Sequence, residues 1–110
     1  MAVRIVLVND AGGEIIVRLF EHKRTIPGGR ASEFPFGQFF EHGTIHSGNV
    51  AYSYSMAPLP PRELMLREKI PEKFALSFGA DGTLRVLKLL PSGATEPLAK
   101  QPAGYPLKPR

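Results

Sequence analysis

Val3-Arg4-Ile5-Val6-Leu7-Val8-Asn9-Asp10-Ala11-Gly12-Gly13-Glu14-Ile15-Ile16-Val17-Arg18-Leu19 is the stretch that decides the fold class. Ile5 and Leu7, then Ile15, Val17 and Leu19, fall at every second position, which is the period of an extended strand. Residues 9–13 between the two runs tolerate turns and positive φ, so a hairpin is expected here. The opposite parity is apolar as well, at Val6, Val8, Ile16 and Phe20. These strands therefore carry more apolar surface than one sheet face can bury, and need either a second layer or a partner.

The same texture recurs further along. Phe74, Leu76 and Phe78 alternate, Gly79-Ala80-Asp81-Gly82 turns, and Leu84 and Val86 resume, which reads as a second hairpin closed by Asp-Gly. Past Val86 the apolar parity switches to Leu87 and Leu89, the mark of a bulge or of a strand covered on both faces. Val50, Tyr52, Tyr54 and Met56 alternate with small residues and predict a strand. The aromatic run Phe34-Pro35-Phe36-Gly37-Gln38-Phe39-Phe40 reads as an edge strand, because Pro35 cannot donate to a ladder. Residues 21–33 lack an apolar period and read as an exposed polar connection turning at Pro27-Gly28-Gly29. Residues 62–69 are strong helix formers after Pro61, but they have no capping side chain, and the alternation of Leu64 and Leu66 favours a strand. From Pro91 onward five prolines predict a tail that cannot maintain a ladder.

The resulting expectation is an all-β fold. A small antiparallel β-sandwich of about seven strands occupies residues 1–90, with a partly open β-barrel as the alternative, and a Pro-rich extended C-terminal tail occupies 91–110. The expected core is Ile5, Leu7, Ile15, Val17, Leu19, Phe34, Phe36, Val50, Tyr52, Tyr54, Leu64, Leu66, Phe74, Leu76, Phe78, Leu84 and Val86. At 110 residues, 43% apolar and 22% charged, the chain has the size and composition of one globular domain.

Several function classes are disfavoured by what is missing. With no cysteine there is no disulfide framework and no thiolate zinc site. The apolar opening run ends at Asn9-Asp10, too short to span a bilayer, so a cytoplasmic protein with no membrane partner is expected. Glu41-His42-Gly43-Thr44-Ile45-His46 pairs two imidazoles, and His22 is a third. On a strand, however, His42 and His46 stand about 13 Å apart, too far to share one zinc, so no metal and no cofactor are expected. Ser47 beside His46 points to the opposite face of a strand, no nucleophile elbow is present, and Glu63, Glu68 and Glu72 are flanked by cations as on a solvated face. No catalytic residue is nominated.

The net charge of +4 is carried wholly by the second half: residues 1–57 hold five basic and five acidic groups, residues 58–110 nine and five. Lys23, Arg24 and Arg30, around the consecutive glycines 28 and 29, are the candidate anion-binding residues. Tyr52 and Tyr54 are more economically core residues than a base-stacking pair. Val6, Phe20, Phe34, Phe36 and Phe39 form the surplus apolar set and are the candidate partner-binding residues. The leading expectation is a non-enzymatic protein-binding or assembly module, a homo-oligomer joined through a β-sheet edge or face. The alternative is a binder of nucleic acid or another anionic polymer through the basic loop and basic C-terminal half. A small metal-dependent enzyme centred on His22, His42 and His46 is the third.

Overall fold

A computed structural model describes residues 3–65, 70 and 72–110. Among the described residues there are nine strands in two sheets: β1 (Arg4–Asp10), β2 (Ile15–Leu19), β3 (His22–Ile26), β4 (Ala31–Pro35), β5 (Gly43–Ser47), β6 (Val50–Tyr52), β7 (Lys73–Gly79), β8 (Leu84–Leu89) and β9 (Thr95–Pro97). One sheet has five strands in the order β4-β1-β7-β8-β9 and the other has four in the order β3-β2-β5-β6. Ile5, Leu7, Phe74, Leu76, Phe78, Leu84 and Val86 from the first sheet, and Ile15, Val17 and Ile45 from the second, are fully buried in one core. The all-β architecture is as the alternation predicts.

Pairing departs from the expectation at the first turn. β1 pairs with β4 and, in parallel, with β7, whereas β2 pairs with β3 and β5. Residues 9–13 therefore close no hairpin; they carry the chain from one sheet to the other. Asn9, with no exposed surface, holds this corner. Its side-chain amide donates to Gly13 O at 2.7 Å and Ile26 O at 2.8 Å, while its Oδ1 accepts from the Ala11 N–H at 3.0 Å. Its backbone N–H donates to Arg30 O and its carbonyl accepts from the Gly29 N–H. Every polar group of this buried residue is thus paired, and the two inter-sheet crossings, 11–14 and 27–30, are tied to each other.

The polar connection 21–33 is itself structured. It holds β3 and the start of β4, both sheet edges, which bury Ile26 and Phe34 and leave most of their other side chains exposed or half-buried. The aromatic run is a strand only as far as Pro35. Beyond it lies helix α1 (Phe36–His42), which buries Phe39 and Phe40 without a capping side chain. Such a short, uncapped helix is held by packing rather than by propensity. It ends at Gly43, where a Cβ would run into the Phe39 carbonyl, so glycine alone lets β5 begin directly.

The strand expected over 50–56 pairs only to Tyr52; Val50 and Met56 are about half exposed, and Tyr54 is buried. Of residues 62–69, Arg62–Met65 form one helical turn, α2, in place of the expected strand. Leu66 and Glu68 lie outside the described residues. The hairpin of β7 and β8 is as expected.

The proline-rich segment does hold a ladder. β9 pairs with β8 from Leu87↔Pro97 to Leu89↔Thr95. Beyond it, the Gln101 side-chain amide accepts from the Val86 N–H at 2.8 Å and donates to Val86 O at 2.9 Å, standing in for a strand residue. Leu107 then bridges Leu84 in both directions, and Tyr105 is buried with its hydroxyl on Pro58 O. Residues 95–107 thereby seal the edge that β8 would otherwise present.

Candidate functional site

The expected partner-binding residues separate into three places. Phe34 and Phe39 are 3% and 1% exposed and belong to the core, their tilted rings 6.0 Å apart between centroids. Phe36 is half-buried against Phe40 and Phe74. Val6 is half-buried on the five-stranded sheet, and Phe20 is exposed in the turn that follows β2 of the four-stranded sheet.

Val6 belongs to the outer face of the five-stranded sheet. On β1, Ile5 and Leu7 point into the core, so Val6 and Val8 lie on the other side, level with Ala75 and Ser77 of β7 and with Leu87 and Arg85 of β8. Val6, Val8 and Leu87 are half-buried there. Beside Val6 opens a groove of about 280 Å³, lined by Val6, Ile70, Leu89, Leu90, Pro91 and Gly93, with Glu33 and Lys73 at its rim. Glu33 is held by Arg4, and Lys73 lies 3.2 Å from its other carboxylate oxygen. Partial burial alone would raise the Glu33 pKa, but the hydrogen bonds and charges of Arg4 and Lys73 outweigh it and hold the carboxyl below its ordinary value. The groove is thus apolar-floored, with a charge-neutralised wall. Its C-terminal half, Leu89 to Gly93, is signalled in the sequence only by the parity switch at Leu87.

The expected anion-binding residues are also not brought together. Arg24 faces the opposite way from Lys23 on β3, and its guanidinium spans the open seam between the sheets. It donates to Ser32 Oγ at 2.8 Å and Glu33 O at 3.1 Å, and lies over the Phe34 ring at 5.1 Å. Its donors are engaged in joining the exposed edges β3 and β4. Arg30 is exposed in the second crossing. Lys23 instead lies directly opposite Arg18 on β2, a residue that sequence reading passed over because Phe20-Glu21 is not a recognisable two-residue turn.

The histidines are dispersed over β3, the end of α1 and β5, and His42 packs on Phe20 with ring centroids 4.5 Å apart. Among the described residues no group of three His, Cys, Asp or Glu side chains is placed to hold a metal ion. Tyr52 lies edge-on to Phe78, and the Tyr54 hydroxyl donates to Gly82 O at 2.5 Å, so these tyrosines are structural. Among the described residues no helix is long and apolar enough to cross a membrane.

Compared with protein-family models, with curated proteins and with solved structures, the chain matches none.

Proposed function

We propose that this chain is a non-enzymatic protein-binding and assembly module that self-associates through the outer face of its five-stranded sheet, around Val6. The observation that carries this reading is the apolar groove beside Val6, flanked by the half-buried Val8 and Leu87 on a sheet whose opposite face already fills the core. A face contact is favoured over an edge contact because each edge is defended. β4 ends in Pro35 and carries Glu33; β9 has three residues and ends in Pro97; β3 exposes His22, Lys23, Arg24 and Thr25; β6 has three residues. Prolines, charges and short length are the features that keep a strand from pairing with another chain. A second copy suits the groove because its Arg4–Glu33–Lys73 rim carries both signs of charge, so that two identical faces related by a twofold axis can pair opposite charges.

Light scattering coupled to size-exclusion chromatography tests this. The wild-type chain is expected at twice the mass of one chain, and Val6→Lys at the single-chain mass with its β-rich circular dichroism intact. A wild-type monomer at high concentration overturns the reading. So does an undiminished dimer in a folded Val6→Lys variant.

A further inference from the structure

The other sheet carries a different surface. On β2 the residues alternate with the core positions Ile15, Val17 and Leu19, so Ile16 and Arg18 lie on the outer face. Cross-strand register sets Arg18 between Lys23 of β3 and Thr44 of β5, and Ile16 between Thr25 and His46. Ile16, Arg18, Lys23 and His46 line a shallow recess of about 190 Å³, and no carboxylate is among its lining residues. Arg18 and Lys23 are exposed, and among the described residues neither takes part in an ion pair. Two like charges directly opposite each other in an antiparallel ladder destabilise it.

The same hairpin holds a second costly feature. Phe20, the next alternate position after Arg18, has φ +55° and is 58% exposed. A bulky aromatic residue in the left-handed region is strained, and here its ring stays largely in water, tilted by 40° against the His42 ring. The unpaired cations and the strained, exposed ring thus sit within six residues, 18–23, that run from the end of β2 through its turn into β3.

We infer that this outer face binds single-stranded nucleic acid, with Arg18 and Lys23 on backbone phosphates and the Phe20–His42 pair stacking a base. The choice of ligand follows from needing both features at once. An inorganic phosphate or an acidic peptide would use the cations and leave Phe20 without a role. A duplex would offer phosphates with its bases already stacked, whereas a single strand presents charge and flat unstacked rings together. This surface is on the opposite sheet from Val6, so the inference stands independently of the self-association reading.

Fluorescence anisotropy of the full chain with a labelled single-stranded oligonucleotide of about 12 nucleotides tests it. Arg18→Gln and Lys23→Gln are each expected to weaken binding severalfold and to flatten the salt dependence by about 0.7 in log–log slope, the loss of one phosphate contact. Phe20→Ser is expected to weaken binding about tenfold while leaving the slope unchanged, because stacking releases no counterions. Lys100→Gln, on an exposed residue of the tail, serves as the charge-matched control and is expected to bind as wild type. Melting curves establish that each variant is folded, and light scattering follows the oligomeric state separately.

Equal affinity for a duplex of the same sequence overturns the inference. So does equal competition by polyglutamate together with an unaffected Phe20→Ser, which would assign the face to an acidic protein. Absence of binding at low salt, or an equal loss in Lys100→Gln, overturns it outright.

Discussion

At the scale of single residues, Asn9 has the largest structural consequence for its size. Asn9→Ala removes three side-chain hydrogen bonds and leaves Gly13 O, Ile26 O and the Ala11 N–H to find other partners around a buried corner. With each buried polar group left unpaired costing about 1–3 kcal/mol, a loss of about 3 kcal/mol is expected in urea denaturation. In the sequence Asn9 reads as a turn former, which is correct locally. Its larger role is invisible there because one acceptor, Ile26 O, lies 17 residues away. Phe20 behaves in the opposite sense: Phe20→Gly relieves a positive φ and is expected to leave stability within about 1 kcal/mol of wild type, despite the loss of its contact with His42. The buried phenols give a pH dependence. Burial, and for Tyr54 also the negative charges of Tyr52 and Asp81, pushes Tyr54 and Tyr105 well above the usual tyrosine value. Folding thus favours their neutral forms; that contribution is complete below about pH 10 and is lost as the pH rises further. The expected outcome is that tyrosinate absorbance appears together with the loss of circular dichroism rather than before it.

At the scale of elements, the strands with strict alternation were legible, and of the pairings the β7–β8 hairpin was legible while those of β1 and β2 were not. β1, β2, β7 and β8 each announce themselves, because a half-buried strand must place large apolar groups at every second residue. Which strand lies beside which depends on contacts between distant residues, and the parallel match of Ile5 with Phe74 leaves no local mark. Edge strands are harder still. β3 shows four exposed polar residues in succession, buries Ile26 alone and is placed largely by backbone pairing with β2, so a reading based on apolar period passes over it. Helix α1 was misread because its aromatics fit either period over so few residues. The tail was misjudged for another reason: its ladder is supplied partly by the side chain of Gln101, which no backbone pattern encodes.

Two measurements belong to this scale. Deleting residues 95–110 uncovers the β8 edge and removes the buried Tyr105, so a fall in melting temperature of at least about 15 °C is expected, the size of a loss of about 3 kcal/mol in a domain of this length. Lys23→Glu converts the repulsion with Arg18 into a cross-strand ion pair and is expected to stabilise the fold by about 0.5 kcal/mol in thermal unfolding.

At the scale of the whole molecule, the two sheets share one core yet turn unlike surfaces outward. The five-stranded sheet presents Val6, Val8 and Leu87 with a charge-neutralised rim, and the four-stranded sheet presents Arg18, Lys23 and His46 without counter-charges in its recess. The candidate sites were therefore only partly legible. Val6 and Lys23 each lie on one of these faces, but their expected companions Phe34, Phe39 and Arg24 belong to the core or the seam. Residue type marked them correctly as apolar or basic; which way each faces is set by strand register.

The parallel pairing of β1 with β7 also sets a timetable. The four-stranded sheet draws only on residues 15–52 and can pair as soon as they are available, whereas β1, with β4 on one side, must wait for its other neighbour almost 70 residues further on. Contacts of such long sequence separation are slow to form, because the intervening loop must close before any of them is made. A chain emerging from the ribosome therefore carries Val6 and Val8 unsheltered until β7 has followed, and the interval before β7 and the sealing tail arrive is when the protein is most open to capture by chaperones or to aggregation.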